Sequence, residues 1–429
     1  MVRSAAGLQL TRPGLAPARS TLPNGAVLLA KRTKTTPAVT MNIAVRAGSV
    51  FDPVDVPGAM FLLSKAIDRG TAGKSADDIA EALDGRGISL GVTVTRHLFS
   101  FICTCLADDF DEVLSLVAEI IRTPSLPEDE LETRKGDVLT MLRQDEDNPG
   151  VRATEALMAL LFPAPHPYGR RAKGTAAVVE SLSRDRLAAL HQSRFAPAEM
   201  SIVIVGDVDP AHAESVAARV FGDWKAPKPA PLAAVPLVRA TTRTRVVIPM
   251  MNKSQADIAY GFTTIARKDP EYYACWLMNH VFGQYSMSGR LGDSIRERQG
   301  MAYYAHSVLD GNAMAGPLLI RAGVSAANID RALASIDEEV GRLVTEGLTQ
   351  KELDDSRQFL IYAMPRGLET NSGIASHLQT AEFFGLGLDY DVRLPDLLRG
   401  VTLEQANAVA RKYLSVDRAS VVIAGPYSG

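Results

Sequence analysis

Apolar and polar residues alternate along Phe99-Ser-Phe-Ile-Cys-Thr-Cys105. Phe99, Phe101, Cys103 and Cys105 fall on one side and Ser100, Ile102 and Thr104 on the other, which is the period of a β-strand. Val39-Thr-Met-Asn-Ile-Ala-Val45 predicts a second strand, ending at Arg46-Ala-Gly48. Elsewhere the apolar period lengthens to that of an amphipathic helix, and caps mark where helices begin. Ser75 with Asp78 three residues on forms a capping box ahead of Ile79 and Leu83. Strands interleaved with long amphipathic helices predict sheets covered by helices. The pattern leaves open whether the strands run parallel or antiparallel.

The same pattern occurs twice. LSRDRLAALHQSRFAPAEMSIVIVGDV at 182–208 resembles VTLEQANAVARKYLSVDRASVVIAGPY at 401–427. Ser183 matches Thr402 as a helix N-cap, Ser201 matches Ser420, the apolar run 202–205 matches 421–424, and Gly206 matches Gly425. A second block, LPEDELETRKGDVLTML at 126–142, matches LTQKELDDSRQFLIYAM at 348–364. Ahead of each lies a strand, a short turn and a helix. Between the repeats runs KAPKPAPLAAVPL at 225–237, where Pro227, Pro229, Pro231 and Pro236 fix φ and remove donors, predicting an extended, semi-stiff linker. The expected architecture is α+β: two homologous αβα-layered domains, each a sheet covered by helices and each roughly 210 residues, spanning 1–224 and 238–429.

Composition adds exclusions. In 429 residues there are 46 Lys+Arg and 49 Asp+Glu, a net charge of -3, and no basic run, so nucleic acid is not an expected partner. Three cysteines, Cys103, Cys105 and Cys275, exclude a disulfide scaffold and fit a reducing compartment. Cys103 and Cys105 share a strand face and are expected in the core. No apolar run is long enough to span a bilayer. The N-terminus carries Arg3, Arg12 and Arg19 with no acid before Asp52 and no secretory-type apolar stretch; it is read as a short arm leading into a strand, and the expected location is cytoplasmic.

Autonomous catalytic machinery is hard to find. His97, His166, His191, His212, His280, His306 and His377 are scattered, and no two have the i, i+4 spacing that puts both imidazoles on one helix face around zinc. His97, His191 and His212 are read as structural or surface residues. There is no G-x-S-x-G elbow and no P-loop. Gly85-Arg-Gly87 and Gly385-Leu-Gly387 lack a third glycine and read as turns.

Short pieces along the chain nevertheless fall in a specific order. They are Leu22-Pro-Asn-Gly25, Arg46-Ala-Gly-Ser49, Arg69-Gly-Thr71, Glu146-Asp-Asn-Pro149, His166-Pro-Tyr-Gly169, Phe221-Gly-Asp-Trp224, Ser288-Gly-Arg-Leu291 and Arg296-Glu-Arg-Gln-Gly-Met-Ala-Tyr303. In these the chain resembles the pitrilysin/insulinase family of zinc peptidases, in particular its short, two-domain members related to mitochondrial processing peptidase. The resemblance implies a two-repeat fold. Active members carry an inverted zinc motif, His-x-x-Glu-His, where this chain reads Phe61-Leu-Leu-Ser64-Lys65. The family's third ligand, a glutamate on a later helix, falls at Met141. Phe61 and Met141 offer zinc no ligand, Ser64 is a poor base, and Lys65 brings an ammonium where a cation should sit. Alone, the chain is expected to bind no metal or cofactor and to be inert as a peptidase.

The resemblance also implies an arginine and a tyrosine, supplied by the second half to the active site, at Arg296 and Tyr303. Ser288 is expected to cap a helix with Leu291 and Ile295 on its apolar face, Gly300 to end it, and Met301–His306 to continue as a strand. Arg296 on the last turn and Tyr303 near the strand start could then converge to hold a peptide carbonyl or the oxyanion formed from it. An erased metal side beside a retained Arg–Tyr side implies a homologous zinc-bearing partner subunit, as in the family's heterodimeric peptidases, with short or unfolded peptides as substrates. Gly283–Gly289 is too short to be the glycine-rich loop of the processing peptidase's non-zinc subunit, so a bacterial two-subunit peptidase is the closer analogy. The alternative is a structural subunit resembling the core proteins of a respiratory complex.

Overall fold

A computed structural model describes residues 14–284 and 289–428. Arg3, Arg12 and the expected cap Ser288 lie outside the described residues, as do 285–288 of the Gly283–Gly289 loop. The first half contributes strands β1 (Ala18–Thr21), β2 (Val27–Arg32), β3 (Ala38–Val45), β4 (Gly91–Val94), β5 (Phe99–Leu106) and β6 (Met200–Gly206). Its helices are α1 (Ala59–Ala66), α2 (Ala76–Asp84), α3 (Phe110–Arg122), α4 (Glu128–Glu146), α5 (Pro149–Leu161), α6 (Ala176–Ser181), α7 (Arg184–Arg194) and α8 (Pro210–Phe221). The second half contributes β7 (Thr244–Pro249), β8 (Gln255–Thr263), β9 (Ala302–Leu309), β10 (Pro317–Ser325) and β11 (Ser420–Gly425). Its helices are α9 (Tyr272–Asn279), α10 (Ile329–Thr345), α11 (Gln350–Gly367), α12 (Asn371–Phe384), α13 (Tyr390–Arg399) and α14 (Leu403–Tyr413).

Two mixed sheets result, in the orders β1-β2-β6-β3-β5-β4 and β7-β11-β8-β10-β9. In each, one pair is parallel, β2 with β6 and β7 with β11, and the remaining neighbours are antiparallel. The second order therefore repeats the first without β1, as the sequence repeat predicts. The caps also form as read. Ser75 accepts from the Asp78 N–H while Asp78 accepts from the Ser75 N–H, and Ser183 and Thr402 accept from the N–H groups three residues on. Cys103 and Cys105 are buried in the first core, where burial pushes both thiols up to about 12. Gly87, Gly385 and Gly387 occupy left-handed turn positions. Residues 224–240 contain neither helix nor strand.

The layers are completed by exchange between the halves. One face of the first sheet packs on its own helices through Met41, Ile43, Phe99, Phe101, Ile202 and Ile204. The opposite face, at Leu29, Val203 and Val205, is covered by Ile374, Ala375 and Leu378 of α12, from the second half. Reciprocally, α5 of the first half packs Ala153, Leu157 and Leu161 onto Ala259, Val422 and Ala424 of the second sheet. This is why β3 is buried along nearly its whole length, Thr40 and Asn42 included, although its sequence alternates. Polar bonds run alongside the α12 packing: Asn371 Nδ2 donates to the Ala38 carbonyl at 3.0 Å, and Arg19 pairs with Glu382 at 2.9 Å.

Candidate functional site

Helix α1 carries three of the four positions where the family's zinc machinery is expected. It starts at Gly58, held at φ +94, and its first turn is pinned by Asp52, which accepts from the Gly58 and Met60 N–H groups at 2.8 Å each. Burial nonetheless raises the Asp52 carboxyl to about 6. Helix α4, which carries Met141, packs against α1, so the fold brings the four positions into one neighbourhood. What they form there is closed on itself. The buried Ser64 Oγ donates to the Phe61 carbonyl at 2.7 Å, which spends its proton on the helix backbone. The Lys65 ammonium lies over the Phe61 ring, 5.1 Å from its centroid. Met141 is half-buried and presents a thioether.

The surrounding charges also oppose a metal. Asp68, one turn beyond Lys65, lies among Lys65, Arg69 and Arg134, and its nearest ion pair is with Arg69 Nε at 3.2 Å. Burial lifts the Asp68 carboxyl above its ordinary range against the pull of these cations. A dication here would meet the Lys65 ammonium and the Arg69 and Arg134 guanidinium groups, while the acids beside them, Asp68 with Arg69 and Glu130 and Asp137 with Arg134, are already paired. Among the described residues, no group of three or more His, Cys, Asp or Glu side chains could hold a metal ion. The donor set does not fit zinc.

His97, His191 and His280 are buried and hydrogen-bonded within the fold. His97 Nε2 bonds Tyr168 Oη at 2.7 Å, His191 Nε2 bonds the Ile121 carbonyl at 2.8 Å, and His280 Nδ1 bonds Ser356 Oγ at 2.8 Å. Burial lowers each of these three to about 4. His212 is exposed and pairs with Asp111 at 2.7 Å.

Arg296 and Tyr303 lie on the other half of the chain, on two segments that pack together. The helix expected around Arg296 is wound differently from the prediction: Gly292–Arg298 is a π-helix, a rare geometry that occurs often at functional sites. Leu291 and Ile295 are buried, as expected. Gly300, at φ +60, ends the segment, with its N–H on the Arg296 carbonyl at 3.0 Å and the Met301 N–H on the Ile295 carbonyl at 3.1 Å. Arg296 is thus in the last turn. Its side chain is 40% exposed, and Nε lies 3.5 Å from the neighbouring Glu297, an exposed pair of little energy. Asp293 pairs instead with Arg298, at 2.9 Å.

Tyr303 is 81% exposed. The cause is a break in the ladder. β9 is the edge strand, and along β10 the partner of Gly323 is Tyr304 while that of Val324 is Ala302. Tyr303 is the extra residue of a β-bulge, a device that re-aims a side chain and is common near active sites. Ala302 and Ala305 both enter the core, three residues apart instead of two, and the surplus between them is turned outward. Neither the bulge nor the π-winding is foreseen by the sequence pattern. The available signal was the adjacent pair Tyr303-Tyr304 between two small core alanines, which breaks the period of two.

A family model described as Insulinase (Peptidase family M16) matches residues 27–167, and one described as the peptidase M16 inactive domain matches 181–360. Among similar proteins, an "uncharacterized zinc protease" of Mycobacterium tuberculosis is 27% identical over 418 residues, covering 96% of this chain and 94% of its own. A "non-peptidase homolog" of Helicobacter pylori is 22% identical over 380 residues, covering 88% and 86%. The crystal structure of a peptidase M16 inactive domain from Pseudomonas fluorescens aligns with a TM-score of 0.88 at 27% identity, over 97% of this chain and 99% of that one. The structure of a protease from Helicobacter pylori shares the fold, with a TM-score of 0.87 at 16% identity over 95% and 99%.

Proposed function

The chain belongs to peptidase family M16, the insulinase family, and from that premise we propose that it is the zinc-less subunit of a two-subunit metallopeptidase. The observation that carries this reading is the contrast within one chain. The metal positions Phe61, Ser64, Lys65 and Met141 sit in a self-satisfied, cation-rich neighbourhood, while Tyr303 is turned out beside the segment that carries Arg296. The match to an M16 inactive domain and the likeness to a non-peptidase homolog fit a chain without peptidase activity of its own. In this reading 1–224 is the degenerate half, 225–237 the connection, and 238–429 the half that faces the partner's site.

The partner is a homologous M16 chain with its histidines and glutamate intact, and it supplies the metal and the general base. This chain supplies donors. The Arg296 guanidinium offers a planar fork to a peptide carbonyl, and the Tyr303 hydroxyl offers one further donor to the oxygen that becomes negative as the carbonyl is attacked. The π-turn and the bulge fix the backbone positions from which the two donors project. Substrates are short or unfolded peptides.

The test is native mass spectrometry of the chain recovered from its own cell. One copy with one M16 partner and a single zinc per pair, cleaving unstructured peptides, is the expected result. Recovery in an assembly that cleaves no peptide would favour the scaffold role instead.

A further inference from the structure

Tyr303 depends on a bulge in a strand that is paired on one side only, so the second edge of β9 contributes nothing to holding the bulge in shape. The side chains next to it do. In one cross-strand row, Asp257 of β8 faces Gly323 of β10, and Gly323 faces Tyr304 of β9. The Tyr304 ring lies over Gly323: a Cβ there would stand 2.6 Å from the ring carbons. Passing over the glycine, the phenol of Tyr304 donates to Asp257 Oδ1. Arg321, also on β10, closes the triangle, with Nη2 3.0 Å from Asp257 Oδ1 and 3.2 Å from Tyr304 Oη. Burial and the Asp257 carboxylate both push the Tyr304 hydroxyl up, so it stays a donor at any physiological pH.

We infer that Asp257, Tyr304 and Arg321 are positioning residues that fix the bulge and so set where Tyr303 is presented; this deepens the proposed function and rests on it. Tyr304 immediately follows the extra residue. Anchoring its ring across two strands leaves Tyr303 no freedom to slip back into the ladder and point elsewhere. Gly323 is part of the device, since any side chain there would block the phenol's path. The anchor also reaches the first half: a Cβ at Gly150, in the first turn of α5, would stand 2.3 Å from Arg321 Nη2 and 2.9 Å from Asp257 Oδ1. The helix exchanged between the halves therefore abuts the cluster that holds Tyr303.

The experiment compares Tyr303→Phe, Tyr304→Phe, Gly323→Ala and the Tyr303→Phe/Tyr304→Phe double variant in the assembled pair, together with amide exchange along β9. Tyr304→Phe and Gly323→Ala are expected to lower kcat/KM by about tenfold or more, through kcat with KM within about twofold. The double variant should be no worse than Tyr303→Phe alone, because both changes disable one device. Exchange should quicken at 302–305 and stay unchanged along β8, which separates loss of the bulge from loss of the fold. If Tyr303→Phe itself has no effect, the catalytic reading fails. If Tyr303→Phe is costly while Tyr304→Phe leaves both kcat/KM and exchange unchanged, the positioning inference alone fails. A Tyr304→Phe loss that adds to that of Tyr303→Phe also overturns it.

Discussion

Leu378 tests the exchange of helices between the halves. It lies far along the chain, on α12, yet its side chain is 1% exposed against Leu29, Val203 and Val205 of the first sheet. Replacing it by alanine removes three buried carbons and leaves a cavity that rigid β-strands on one side cannot close. Such changes cost about 3–5 kcal/mol at well-packed sites. With a urea dependence of about 3 kcal/mol per molar for a chain of this size, the midpoint should fall by roughly 1 M. The two tryptophans make the assay local. Trp224 packs on the first core and Trp276 on the second. Single-tryptophan chains, made with Trp276→Phe or Trp224→Phe, then report each half by fluorescence during urea titration. Leu378→Ala is expected to move the Trp224 transition by about as much as the Trp276 transition. A Trp224 midpoint unchanged within about 0.2 M, with only the Trp276 transition displaced, would refute the packing of α12 on the first sheet.

Other expectations follow from the charges. His97, His191 and His280 are held neutral with values near 4, below the 6.5 of the unfolded chain, so their contribution is complete above pH 6.5 and lost as pH falls toward 4. Asp52, raised to about 6, acts in the opposite sense below pH 6. Taken over these four groups alone, unfolding near pH 5 takes up about two protons, three on the histidines less one from Asp52, at about 1.4 kcal/mol per pH unit each. His166, His306 and His377, also lowered, add to this uptake, and Asp68 and Glu155, also raised, oppose it. Urea midpoints that rise on acidification from pH 6.5 to 5 would contradict this. Glu352 is pushed up by burial but pulled further down, to about 2, by a bidentate pair with Arg290 at 2.7 Å and by its bonds to Thr349. Its contribution is present above about 4.5 and lost as pH falls through 2, so Glu352→Gln should unfold more easily at pH 7 and converge with the parent chain at low pH. Elemental analysis of the isolated chain, dialysed against zinc, should find well under one ion per chain. Stoichiometric zinc would overturn the reading of Phe61, Ser64, Lys65 and Met141.

Much of this molecule is legible from its residues, and the illegible parts share a cause. The repeat, the caps at Ser75, Ser183 and Thr402, the strands at 39–45 and 99–105, and the burial of Cys103 and Cys105 all depend on local periodicity, which a sequence displays directly. An amphipathic face on α5 or α12 says that the helix is buried, but not on which sheet. The exchange is decided by tertiary packing hundreds of residues away in sequence. The one parallel pair in each sheet is likewise set by which strands meet. At the candidate site, the residue types at Phe61, Ser64, Lys65 and Met141 are readable directly, whereas the geometry of Arg296 and Tyr303 is not. A π-turn differs from an α-turn by one hydrogen-bond step, and a bulge by one residue, and both depend on how β9 must fit against β10 and Gly323.

The central claim is that this chain lends Arg296 and Tyr303 to chemistry carried out on a zinc-bearing M16 partner. Its most direct test is kcat/KM for an unstructured peptide, measured on the assembled pair with Arg296→Ala or Tyr303→Phe in this chain and the partner untouched. Loss of a preorganised donor to a developing oxyanion predicts a fall of about 10²-fold with the pair still assembled and its zinc retained. An unchanged kcat/KM in both variants would contradict the account.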